Sequence, residues 1–155
     1  MRRVAAAFLL VIFADVLLVN LIKIPWGRPR MRLVAADPRA CFMPWWQPGQ
    51  TLRNELVAAG VAAEEFKSFP SGHTANASAL MLLSLLPCIR PALAKKRGLL
   101  FGIGFGWTCL VALSRVIMGA HYLTDTTVGF GIGLAVLAVV SRLLLPDGKK
   151  ARQPR

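Results

Sequence analysis

The sequence predicts an all-α, polytopic membrane bundle with about four transmembrane helices. Three observations predict it. Of 155 residues, 55% are hydrophobic, and mean hydropathy is +0.55, yet the formal net charge is +12. The apolar residues gather in runs of roughly spanning length. The basic residues cluster between those runs. A soluble nucleic-acid binder also reaches a pI near 11.1, but it needs its Lys and Arg on one polar face, and this segregation excludes that class and nucleic acid as a partner.

The first span, near residues 4–22, follows the basic start Arg2-Arg3. A signal peptide has the same opening. The length of the run, Asp15 in its middle and the lack of a small-x-small cleavage site before Lys23 read instead as a retained helix. Asp15 and Asn20 are polar at membrane depth, so both are expected to face other helices and hydrogen-bond there. A connector covers 23–70. Pro25, Pro29, Pro38, Pro44 and Pro48 break helices in its first half, Trp26, Trp45 and Trp46 read as interfacial anchors, and Thr51–Val61 reads as a short amphipathic helix.

The second span, 72–88, is capped by Ser71 or Thr74 and stopped by Pro87. Arg90, Lys95, Lys96 and Arg97 make the next loop strongly basic. The third and fourth spans fall near 98–114 and 123–145. Gly102-x-Gly104-x-Gly106 and Gly129-x-Gly131-x-Gly133 follow no strand, so they read as close helix packing rather than nucleotide loops. Cys41, Cys88 and Cys109 show no paired spacing, which implies neither a disulfide nor a zinc site. One domain covers 1–147, and a basic tail, 148–155, is expected to be disordered.

Four spans put both termini and the basic loop at 90–97 on one side, the cytoplasm by the positive-inside rule. The connector and the stretch 114–125 then face outward. The connector is basic as well, against that rule, which points to an anionic ligand. The compact loops fit a bacterial inner membrane.

Three groups of residues carry chemistry. His121 and Asp125 are four apart and share a helix face, so the carboxylate can hold the imidazole in one tautomer and leave the other nitrogen free as base or nucleophile. Arg115 adds a guanidinium fork suited to phosphate oxygens. Lys23, Arg28 and Arg30 offer further cations. In Pro70-Ser71-Gly72-His73, a hydroxyl and backbone N–H groups at a helix start make a phosphate site, with His73 beside it as an acid.

Together these stretches resemble the superfamily of type-2 phosphatidate phosphatases (lipid phosphate phosphatases), shared with vanadium haloperoxidases. Its signature is Lys-x6-Arg-Pro, then Pro-Ser-Gly-His, then Ser-Arg-x5-His-x3-Asp. The second is complete at 70–73 and the third at 114–125. In the first, Lys23 and Arg30 have the spacing, but Met31 replaces Pro; Arg28-Pro29 is the second candidate pair. The resemblance implies a metal-independent hydrolase without a cofactor that acts on a lipid phosphate or diphosphate in the bilayer. It implies His121 as nucleophile, Asp125 orienting it, and His73 as acid and then base. Lys23, Arg30, Arg115, Ser71, the Gly72 backbone and, as second candidate, Arg28 would hold the phosphoryl oxygens. Such proteins commonly have six membrane helices; against four here, the two absent ones would precede the first span. A haloperoxidase is soluble, so the apolar spans exclude it. The alternatives left are a non-catalytic binder of anionic lipid or a truncated, inactive member.

Overall fold

The computed structural model describes residues 2–88 and 90–144. The expected basic tail at 148–155 lies outside the described residues. What is described forms an all-α bundle, with three helices long and apolar enough to cross a membrane.

Helix α1, Arg2–Trp26, is the first of these. It continues four residues beyond the expected end at Ile22, so Lys23 sits in its last turn rather than in the connector. A cation there complements the carbonyl end of the helix dipole. Ala7, Val11, Asp15 and Val19, at successive four-residue steps, form its buried stripe, while Leu9, Phe13 and Leu21 point outward. Asp15 is buried as expected. Asn20 is not; it is exposed, and its amide Nδ2 donates to the Val16 carbonyl of its own helix at 2.9 Å. That local bond satisfies the side chain without a neighbouring helix.

The connector folds on itself. Helices α2 (Met31–Ala36) and α3 (Gln50–Ala58) and a 3-10 turn (Ala63–Phe66) enclose a small core of Leu33, Ala40, Leu56 and Phe66. Trp45 and Trp46 are exposed, as an interfacial anchor requires. Trp26 is tied inward: its indole Nε1 donates to the Trp45 carbonyl at 2.9 Å, and its ring lies 5.2 Å from that of Phe69.

The expected second span at 72–88 is not one continuous α-helix. Helix α4, Gly72–Ser78, runs into a 3-10 stretch, Ala79–Cys88. Two features disfavour α geometry there. Pro87 lacks an N–H, and in an α-helix its ring would clash with the Leu83 carbonyl. Ser78 donates back to the Ala75 carbonyl at 2.6 Å, which bends the ladder. The looser 3-10 rise compensates for the short segment. Seven residues at ~1.5 Å and ten at ~2.0 Å reach about 30 Å, the same length as α5 (Arg97–Ile117), against which the stretch packs.

A 3-10 turn, Pro91–Lys96, leads into α5, and α6, Leu123–Leu144, closes the bundle. The core is small and lies between α1, the 3-10 stretch and α6, built from Ala7, Val11, Ala79, Leu82, Val136 and Val140. Small residues let the backbones close up. A Cβ on Gly104 of α5 would lie 2.7 Å from Met81 Cα, and one on Gly129 of α6 would overlap the Ser71 carbonyl oxygen. All three chemistry-bearing stretches meet at one end of this bundle.

Candidate active site

His121 sits just after α5, where Gly119 (φ +64) turns the chain back. The turn is pinned from both sides. The backbone amides of Ala120 and His121 donate to the Arg115 carbonyl at 3.1 and 3.3 Å, and the Arg32 amide donates to the Gly119 carbonyl at 2.9 Å. Only 2% of His121 is exposed. Its Nδ1 lies 2.6 Å from the Ser68 carbonyl oxygen. A carbonyl only accepts, so Nδ1 carries a proton, and in the neutral ring the lone pair is then on Nε2. The ring is thus held as a nucleophile or base pointing by one known nitrogen.

Asp125 does not make that bond, contrary to the simplest reading of the His-x3-Asp spacing. Its Oδ2 is 3.8 Å from His121 Nδ1. It instead organises the floor beneath the ring. Oδ2 accepts from the Ser68 hydroxyl at 2.5 Å and from the Tyr122 amide at 2.9 Å, while Oδ1 accepts from Arg28 Nη1. The Asp125 carbonyl accepts from the Ser71 amide at 2.9 Å, which joins the start of α6 to the start of α4. Asp125 therefore acts on His121 through Ser68, whose carbonyl it fixes, and through its charge.

Arg28, the second candidate for holding phosphate, is buried and paired with Asp125. It is 1% exposed, with Nη1 on Asp125 Oδ1 and on Thr124 Oγ1 at 3.1 Å, and Nε on the Met43 carbonyl at 2.8 Å. Its guanidinium also lies 4.2 Å from the Tyr122 ring centre. Arg30, the alternative, keeps its guanidinium free: Nε is buried without a partner, although its backbone amide is held by the Glu65 carbonyl at 2.8 Å. Among the described residues, Lys23 and Arg115 likewise form no ion pair within 4 Å. Ser71 is wholly buried, and its hydroxyl caps α4 by accepting from the Thr74 amide at 3.4 Å and lies 3.0 Å from Thr74 Oγ1. The amides of the first turn, Gly72 among them, have no partner within the helix and can serve an anion.

His73 is exposed at the mouth, and Arg115, His121, Lys23 and Arg30 all lie near enough to act on its charge. Five of the residues singled out from sequence therefore converge. The rim is acidic but neutralised. Glu65 pairs with Arg32 at 2.5 Å and Glu64 with Lys67 at 2.5 Å, and each hydrogen bond holds its carboxyl below the usual glutamate range. That leaves the net field of the mouth positive. It can bind a polyanion and present Nε2 of His121 to it. Ser68, Tyr122 and Thr124 were not singled out from sequence. Ser68 adjoins the Pro-Ser-Gly-His stretch, but nothing in its sequence context shows a partner 57 residues away.

The model of the PAP2 superfamily matches residues 4–148. The chain belongs to the PAP2 superfamily. A phosphatidylglycerophosphatase B of Bacillus subtilis (strain 168) is 34% identical to it over 84 residues, 53% of this chain and 41% of that relative. The PAP2 chain thus spans about two fifths of the relative it matches. No solved structure matches it significantly. Membership accounts for the two complete motifs, whose histidines and cations converge in a bundle with three helices long and apolar enough to cross a membrane.

Proposed function

We propose that this protein is a lipid phosphate or diphosphate phosphatase that works through a phosphohistidine on His121. The observation that carries the reading is the bond that fixes the ring. His121 Nδ1–H donates to the Ser68 carbonyl, which leaves Nε2 as the nucleophile in this reading, and Lys23, Arg30 and Arg115 lie near enough to act on the charge of His73 beside it. Nε2 attacks phosphorus, the bond to the leaving oxygen breaks, and His73 gives that oxygen its proton. His73, now neutral, takes a proton from water, whose oxygen attacks the phosphohistidine and releases phosphate. Lys23, Arg30, Arg115 and the Gly72 amide hold the phosphoryl oxygens throughout, supplying positive charge where other phosphatases use a metal.

The substrate is a lipid because the site lies where three apolar helices end, so tails stay in the bilayer while the head group enters the mouth. Phosphatidylglycerophosphate, the substrate class in the name of the Bacillus relative, belongs on the test panel beside phosphatidate and undecaprenyl diphosphate. We place the site on the extracytoplasmic face of a bacterial inner membrane, with the loop at 90–97 in the cytoplasm.

The test is phosphate release from that panel in detergent micelles with excess chelator, comparing wild type with His121→Ala. Release by wild type alone is expected. Equal release by both would remove His121 as nucleophile, and release abolished by chelator would remove the metal-independent mechanism.

A further inference from the structure

Away from the mouth, two polar side chains in the bundle have no partner. Asp15 is 0% exposed, and both carboxyl oxygens lack a hydrogen bond; Asn76 Oδ1 is buried and equally orphaned. They belong to facing stripes of antiparallel helices. A Cβ on Gly72 of α4 would touch Val19 of α1 at 3.2 Å. One turn or two deeper, Val11 of α1 clusters with Ala79 and Leu82. Stepping four residues from Val19 and four from Gly72 reaches Asp15 and Asn76 at the same depth.

No cation is at hand to neutralise a carboxylate there. Lys23 lies two turns up the same helix, about 12 Å along the axis. Among the described residues, α4 carries only His73 as a titratable group, one turn nearer the mouth, and α6 from Gly129 to Val140 carries none. An unpaired carboxylate at membrane depth costs several kcal/mol, so the neutral acid is the stable form.

We propose that Asp15 is a protonated carboxylic acid in a reciprocal pair with Asn76, and that the pair sets the register of α1 against α4. The acid O–H donates to Asn76 Oδ1, and Asn76 Nδ2 donates to the other carboxyl oxygen. In the structure the two side chains do not meet within hydrogen-bond distance; rotation of the Asn76 amide toward Asp15 would close one acid–amide ring that satisfies all three orphaned atoms. The register matters because α1 carries Lys23 and α4 carries Gly72 and His73. Asp15 and Asn76 are positioning residues for the phosphate site. The kinetic half of this proposal rests on the phosphatase reading; the protonation half does not.

The test uses the full chain in detergent. Difference infrared spectra at pH 8 should show the carbonyl stretch of a protonated acid in wild type, absent in Asp15→Asn and shifted in Asn76→Leu. Asp15→Asn keeps both hydrogen bonds as an amide pair, so it should retain wild-type turnover. Asp15→Leu orphans Asn76, and kcat/KM should fall by about 10- to 100-fold. An acid band that is missing in wild type, or unmoved by Asn76→Leu, would overturn the pair. So would an Asp15→Leu protein with wild-type kinetics, or an Asp15→Asn protein as impaired as Asp15→Leu. If no variant, wild type included, released phosphate, the infrared arm would still decide the pair, and only the phosphatase reading would fall.

Discussion

Arg28 and Arg30 stand two residues apart and do opposite things. Arg28 is buried against Asp125, and both ends of that ion pair are sealed from solvent. Removing the arginine leaves a buried, uncompensated carboxylate. Arg28→Ala should therefore lower stability by about 3–5 kcal/mol, read as thermal unfolding in detergent. Arg30 touches no carboxylate. Arg30→Ala should leave the melting curve in place and lower kcat/KM by about 100-fold. If the two variants gave the reverse pattern, their roles would have to be exchanged. Sequence spacing prefers Arg30 after Lys23 and groups His73, Arg115, His121 and Asp125, and the structure brings Lys23, Arg30, Arg115 and His121 near His73 with Asp125 buried behind His121. Spacing could not show what holds His121. The Ser68 carbonyl is a backbone atom 53 residues away, a contact that only the folded chain creates. The direct His121–Asp125 bond looked natural from a four-residue step, yet Ser68 stands between the two groups.

At the scale of elements, apolar runs predicted which segments are helices better than where they end or how they wind. The runs near 4–22, 98–114 and 123–145 became α1, α5 and α6, each shifted at its ends because a helix continues through any residue whose amide still finds a carbonyl. The 3-10 character of Ala79–Cys88 was hidden, since apolarity says nothing about pitch. The glycine patterns were half legible. They mark close packing, but only at Gly104, Gly129 and Gly133; Gly102, Gly106 and Gly131 meet nothing within 4 Å. Alternation along a helix turns neighbouring pattern positions to different sides. This separates two substitutions on α6. Gly129→Ala drives a methyl into the Ser71 carbonyl that begins the phosphate loop, and should cost activity and at least about 2 kcal/mol of stability. Gly131→Ala fills open space in a helix interior and should be neutral or stabilising by up to about 1 kcal/mol. A Gly131→Ala protein as damaged as Gly129→Ala would contradict the packing of α6 on α4.

For the whole molecule, the bundle gathers Lys23, Arg30, His73, Arg115 and His121 at one end and leaves the other end to Pro91–Lys96. With α4 and its 3-10 continuation matching α5 in length, 72–88 runs away from the site and 97–117 runs back to it. By the positive-inside rule we propose that Arg90, Lys95, Lys96 and Arg97 lie in the cytoplasm. A cysteine at position 93 in a cysteine-free background should resist an impermeant thiol reagent applied to intact cells. Labelling from outside would invert the protein and move the site to the cytoplasmic face. We propose that His121, held through Nδ1 by the Ser68 carbonyl, takes the phosphoryl group. The most direct measurement is to quench the enzyme during turnover under conditions that preserve phosphohistidine and map the phosphate by mass spectrometry. The account predicts phosphate on His121, absent from His121→Ala. Sustained turnover with His121 unmodified at every quench time, and no intermediate on the protein, would contradict it.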